Sequence, residues 1–298
     1  MSPIRADHVD LPTAAPAEAG DGRAPDLEPR FGPAIIGHWW ANYEGGTRAH
    51  AVEGTRFRAS MAGFCARSLA YYFAGTEETN PPGTADVWRM FLGTMVHAIV
   101  DPIVVEMFGA EVEYAVDLLP EVDGSATVHV WIAERRILIE IKTAGGYAYK
   151  LSATNFKGAP QGPKRGHAIQ AAVAADALGA EEMVLLYFAM EPSDRRYVDT
   201  DEQRVTAEWT FTKDEIAALA ATERARVSKI IEITDAQGPA AVRRMVADDD
   251  GHLWLVDKPT ATSSSPTVRL DADGNIVDSS TTWQCGFCRY RDRCLADG

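Results

Sequence analysis

Residues 126–143 read ATVHVWIAERRILIEIKT, and the structure adopted by this stretch decides the architecture. ATVHVWI from Ala126 and RILIEIKT from Arg136 both have the length and apolar content of strands, and the short AERR between them suits a hairpin turn. In RILIEIKT, Glu140 and Lys142 are separated by one residue, so an acid and an amine project from the same face. Ile139 and Ile141 bury the other face, which puts the pair at a sheet edge or crevice. A carboxylate there can hold a divalent cation, and the ammonium can orient a water or steady the charge developing on phosphorus. Taken alone, E-x-K is also common on ordinary surface strands.

The neighbouring segments set the fold class. Upstream, EVEYAVDLL from Glu111 reads as a third strand, and ADVWRMFLGTMVHAIVDPIVVEMFG from Ala85 as a long helix bent at Pro102. RASMAGFCARSLAYYFAG, residues 58–75, has helical spacing and a glycine stop. Downstream, GHAIQAAVAADALG from Gly166 is a helix, EEMVLLYFAM a buried strand and RVTAEWTF a further strand. Thr212 opens a helix with a capping box closing on Glu215. This order predicts an α/β (mixed α+β) domain, a central mixed sheet flanked by helices. Residues 250–282 look irregular, and DADGN at 271–275 reads as a hairpin turn, since no glutamate follows at calcium-loop spacing.

The 298-residue chain has an ordinary globular composition, 46% hydrophobic and 24% charged. Residues 1–30 are rich in Pro, Ala, Asp and Glu and are expected to form a disordered tail, leaving 31–298 as a single domain. With no secretory pattern and no run of about 18 apolar residues, a cytoplasmic protein without a membrane span is expected. Its cysteines should then be thiols, whose clustering suggests metal. A net charge of −14 argues against a simple nucleic-acid coat. Between Lys142 and His167, however, Lys142, Lys150, Lys157, Lys164 and Arg165 occur without any acid, interleaved with Tyr147, Tyr149 and Phe156. Arg289, Arg291 and Arg293 form a second basic cluster. Such patches can bind phosphate, although a solvated loop carries lysines too.

Four cysteines are present: Cys285, Cys288 and Cys294 lie within WQCGFCRYRDRC, and Cys65 lies 220 positions before the first of them. His97 in GTMVH sits among apolar neighbours on a helix, where a satisfied core histidine is the commoner case. Gln170 follows the basic stretch, with His167 three residues earlier on the same helix face.

In this order the residues resemble the PD-(D/E)xK nucleases of the RecB type, especially the CRISPR-associated iron–sulfur exonuclease and its phage-encoded relatives. The matching positions are His97, Glu140 and Lys142 in IEIKT, Gln170 in HAIQ, and all four cysteines, over roughly residues 58–190 and 283–294. The resemblance implies a restriction-endonuclease-like core with catalytic Glu140, Lys142, Gln170 and His97. It implies Mg²⁺ or Mn²⁺ on His97 and Glu140, and DNA as substrate, met by Lys150, Lys157, Lys164, Arg165 and Arg289. It further implies that segments 58–75 and 283–298 close on an iron–sulfur cluster, a 4Fe–4S centre held by Cys65, Cys285, Cys288 and Cys294. On chemistry alone, four thiolates can equally hold Zn²⁺, although three clustered cysteines plus a distant one are commoner for clusters.

Two positions depart from that pattern. The metal-binding aspartate expected thirteen residues before Glu140 is Thr127, a neutral and weak ligand for a hard cation. Asp123, Asp117 or Glu113 could replace it through a shifted register. The tyrosine expected four residues after Gln170 is Ala174. Two readings follow: a metal-dependent DNA exonuclease in recombination, replication or CRISPR-adaptation-like processing, or a silenced relative that binds DNA or a recombination or CRISPR-adaptation partner.

Overall fold

The computed structural model describes residues 56–118, 124–157, 160, 162–247, 253–255, 269–270, 276–278 and 288–297. The expected tail, Asp123, Trp283 and Cys285 lie outside the described residues, as do the side chains of Glu113, Asp117 and Lys157.

Among the described residues, six strands form the main sheet: β1 (Phe57–Arg58), β2 (Glu111–Leu118), β3 (Gly124–Ile132), β4 (Ile137–Ala144), β5 (Glu182–Ala189) and β6 (Thr206–Thr212). They run in the order β1-β3-β4-β5-β6, and β2 pairs with the other edge of β3. β1/β3 and β4/β5 are parallel and the remaining pairs antiparallel, so the sheet is mixed. The β3–β4 hairpin turns through Ala133–Arg135, with Arg136 at φ 54°. That left-handed backbone is costly for a side-chain-bearing residue. Here it is held by the Arg136 side chain, which donates to the Gly179 carbonyl and pairs with Glu181 at 2.8 Å.

The hairpin does not stay closed. β3 and β4 pair only over Val130–Ile132 with Ile137–Ile139, whereas β1 takes Gly124–Ser125 on that same edge of β3. Between these two contacts no described strand pairs with that edge of β3, and the strands splay beside Glu140. This gap is where the site forms.

Helices α1 (Ala66–Phe73), α2 (Thr84–Phe108), α3 (Gly146–Ala153), α4 (Arg165–Ala177), α5 (Lys213–Gln237) and α6 (Arg291–Ala296) surround the sheet. On α4, Ala168, Ala171, Ala172, Ala174 and Ala175 are all buried. Their small side chains let the helix lie close to the sheet, in one core with Val128, Leu138, Met183 and the α5 residues Ile216, Ala220 and Val227. The α5 capping box forms as the sequence predicts: the Thr212 amide donates to Glu215 (2.8 Å), and the Glu215 amide to the Thr212 hydroxyl (3.4 Å).

Two local expectations are corrected. The helix expected from residue 58 begins only at Ala66, because Phe57–Arg58 join the sheet and Gly63, at φ 75°, breaks the path between. The stretch after Lys142, read as a basic loop, contains α3, anchored by fully buried Tyr149. Helix α2 continues through Pro102 as one 25-residue element. Arg89 and Asp101 interrupt its apolar run in sequence, yet at 25 residues it is long and apolar enough, by length and composition, to cross a membrane. Val100 and Val104 pack on Val130, Ile132 and Ile141, while Trp88, Met95, Ile99, Ile103 and Met107 are exposed.

The C-terminal segment docks on α1 and the loop that follows it. Tyr71 donates to Asp297 (2.8 Å) and its ring lies 5.6 Å from that of Tyr290. The Asn80 amide donates to the Arg289 carbonyl (2.8 Å), and Asn80 exchanges two further hydrogen bonds with Asp292. In the pairing of 269–270 with 276–278, the strands flank residues 271–275 as a hairpin requires.

Candidate active site

Glu140 lies on β4, an interior strand flanked by β3 and β5, and is 2% exposed. The alternative of a sheet edge is thereby excluded; the pair occupies a crevice. Lys142 Nζ stands 2.6 Å from Glu140 Oε1 and donates to Gln170 Oε1 at 3.0 Å. Gln170 Nε2 in turn donates to Glu140 Oε1 at 3.0 Å. The three side chains close a ring of polar contacts joining β4 to α4 through Glu140 Oε1.

Burial alone would raise the Glu140 pKa, but nearby His129 and the Lys142 ammonium outweigh it and hold the carboxyl below its usual range. His129 is itself kept neutral, its pKa pushed down to about 4, chiefly by burial. At neutral pH the cation that keeps Glu140 ionised is therefore Lys142.

The crevice opens into a cavity of about 190 Å³ lined by Arg58, Ser125, Thr127, His129, Glu140 and Gln170, with Ala174 in its wall. Thr127 thus shares the cavity with Glu140. The two small residues at the departing positions, Thr127 and Ala174, both border this space, and neither brings a charge. Asp117 pairs in register with Ser125 through its backbone.

Two histidines that play no part in the E-x-K motif belong to this region. His129 Nδ1 is 3.4 Å from Glu140 Oε2, and it is buried without a hydrogen-bond partner among the described residues. His97 is not among the cavity-lining residues; its ring stands edge-on to His129, centroids 4.3 Å apart, and its Nδ1 is 3.4 Å from Asp101. Sequence reasoning missed His129, although it lies two residues beyond Thr127 and one step past the last hairpin pair, opposite Glu140. Among the described residues, no group of three or more His, Cys, Asp or Glu side chains is placed to hold a metal ion as it stands.

The expected DNA-contacting residues lie on different elements. Lys150 is half-buried on α3, Lys164 and Arg165 stand at the start of α4, and Arg289 pairs with Glu78 at 2.8 Å. His167 Nδ1 meets the Tyr187 hydroxyl at 2.7 Å, and burial, with help from Lys142 and Lys164, pushes its pKa down to about 3.

The sign of that shift gives a first prediction. An unfolded histidine takes up a proton near pH 6.5, whereas folded His167 does not until about 3. Its stabilising share is whole above pH 6.5 and is lost as pH falls. Between pH 7 and pH 5 this amounts to about 2 kcal/mol. Urea midpoints should fall accordingly over that range, and His167→Gln should remove that part of the slope.

For the cysteines, Cys288 lies 3.7 Å from Ser68, three residues along from Cys65, which is the N-cap of α1. Cys294 is buried in one cluster with Tyr71 and Tyr290, with Cys288 packed against it. The docked C-terminus therefore brings two of the three late cysteines to the helix that Cys65 caps.

Fold and site together define a mixed-sheet α/β domain with a buried Glu-Lys-Gln network at a splayed hairpin. Three solved structures share this shape in part. SSO0001 superposes with a TM-score of 0.43 at 19% identity, over 63% of this chain and 85% of that one. LHK-Exo in complex with dAMP, an alkaline exonuclease from Laribacter hongkongensis, gives 0.42 at 18%, over 61% and 88%. A phage-related exonuclease from Haemophilus somnus 129PT gives 0.40 at 9%, over 58% and 81%. No family model and no curated protein matches the sequence.

Proposed function

We propose that this chain is a metal-dependent DNA nuclease of the PD-(D/E)xK type that hydrolyses phosphodiester bonds from an end. The observation that carries the reading is a buried carboxylate, Glu140, kept ionised by Lys142 at the wall of a polar cavity that also holds Arg58. Two structural neighbours are exonucleases by name, which agrees with this reading without bearing its weight. A Mg²⁺ or Mn²⁺ ion on Glu140 would supply Lewis acidity and a water of lowered pKa. The protein's own residues do the rest. Lys142 is placed to orient the attacking water and to balance charge gathering on the phosphoryl oxygens. Gln170 fixes the rotamers of both Glu140 and Lys142, and Arg58 offers a cation to a phosphate in the cavity. Digestion of end-labelled linear DNA with and without divalent metal tests the proposal.

A silenced, DNA-binding relative is the second reading, favoured by Thr127 in the cavity wall. The two readings separate on Thr127→Asp. In an active site, the added carboxylate should raise metal-dependent cleavage by about tenfold, or about 1.4 kcal/mol in barrier. Thr127 is exposed to the cavity, so the fold should tolerate the change. If no variant cleaves any DNA, the silenced reading takes over.

For the DNA path, Lys150, Lys164 and Arg165, together with Lys157, provide the basic stretch. Neutralising Lys157, Lys164 and Arg165 together should reduce the salt slope of binding by about 2–3. An unchanged slope moves the path elsewhere. We assign Cys65, Cys285, Cys288 and Cys294 to an iron–sulfur cluster, with zinc as the alternative that a colourless protein would indicate.

A further inference from the structure

We propose that His129 is a metal ligand of this site and supplies the coordination position that Thr127 leaves open. The inference rests on the nuclease reading only for the presence of a divalent ion. Three observations carry it. Nδ1 of His129 is fully buried, has no hydrogen-bond partner among the described residues although the ring also meets the Ile141 backbone, and stands 3.4 Å from Glu140 Oε2. Two neighbouring ligands on one ion with bonds of about 2.1 Å stand on the order of 3 Å apart, so this spacing needs little adjustment. Both side chains line the same cavity, and Thr127 beside them carries no charge.

A buried ring nitrogen without a partner costs stability, and an ion taking its lone pair removes that cost. Because His129 and Thr127 lie two apart on β3, both face the same way, so the imidazole replaces the missing carboxylate from the adjacent rung. Lys142 must release part of its hold on Glu140 when the ion enters, but Oε2, the oxygen nearest His129, is not the one Lys142 grips.

The exchange has a chemical consequence. An imidazole in place of a carboxylate lowers the negative charge of the site and adds a nitrogen donor. Mg²⁺ favours anionic oxygen, whereas first-row transition ions accept nitrogen readily. The site should therefore prefer Mn²⁺ over Mg²⁺ by more than an all-oxygen site does.

Calorimetric titration of the full chain with Mn²⁺ and with Mg²⁺ tests this without reference to cleavage. His129→Ala should weaken Mn²⁺ binding by about tenfold or more, and His129→Asp should strengthen Mg²⁺ binding by about tenfold, narrowing the gap between the ions. Thermal melting of each variant shows that it is folded. A folded His129→Ala protein with wild-type Mn²⁺ affinity overturns the assignment, as does His129→Asp with unchanged Mg²⁺ affinity. Mn²⁺ binding that depends on His129 in a protein that cleaves no DNA supports the ligand and removes the nuclease reading instead.

Discussion

Lys142→Met is expected to destabilise the protein by about 3 kcal/mol at pH 7, a large share of a domain's total stability. The substitution keeps the length of the side chain and removes the ammonium 2.6 Å from Glu140. Glu140 is 2% exposed, so its charge is left in a poorly solvated crevice with a neutral His129 and the Gln170 amide. Desolvation, the largest influence on this carboxyl, then acts without the Lys142 charge and hydrogen bond against it, and the pKa rises. In the wild type the sign is opposite: a depressed carboxyl contributes stability that is present above the unfolded value and lost as pH falls through the folded one. The deficit of Lys142→Met should therefore shrink between pH 7 and pH 5, as Glu140 takes up a proton in the variant. Glu140→Gln in the Lys142→Met background should recover most of the loss, since no charge remains to be buried. Urea midpoints for the four proteins of this cycle measure it. Equal stability of wild type and Lys142→Met at pH 7 would show that the pair is not coupled.

Cys65→Ala should have an effect nearly as large, through a different part of the molecule. The C-terminal segment rests on Tyr71 of α1 and on Glu78 and Asn80 of the loop after it, a small contact for a docked helix of six residues. A cluster held by four thiolates would add a covalent closure between chain ends more than 200 residues apart, and metal binding is then folding free energy. The purified protein should be brown. Cys65→Ala should lose iron and visible absorbance as completely as Cys288→Ala, and residues after about 280 should become accessible to protease. Retention of full iron content by Cys65→Ala would remove Cys65 from the ligand set.

The sequence carries the local parts of this site and leaves out the non-local ones. The strand with Glu140 and Lys142, its hairpin and the Thr212–Glu215 cap are each set by neighbouring residues, and each can be read from period or capping chemistry. That Glu140 is central rather than at an edge depends on β5, whose parallel pairing with β4 is made across a two-helix crossover. The splay that opens the cavity depends on Phe57–Arg58, two residues that join β3 from far upstream and have no strand signal of their own. His129 is invisible for the same reason. In sequence it is one polar residue in an alternating strand, and only the register opposite Glu140 gives it a role. α3 was hidden by its composition, since a glycine pair followed by tyrosines and a lysine reads as loop until Tyr149 is seen to be buried.

The most direct measurement is release of nucleotides from linear DNA labelled at one end, followed with Mn²⁺, with Mg²⁺ and with chelator, for wild type and Glu140→Gln. Gln keeps the shape and the contact with Gln170 but lacks the charge that would hold an ion. The wild type should release label only with metal, faster with Mn²⁺, and Glu140→Gln should be slower by about 10³-fold, or about 4 kcal/mol in barrier. Cleavage by Glu140→Gln at the wild-type rate, or no cleavage by wild type with either ion, would contradict the account.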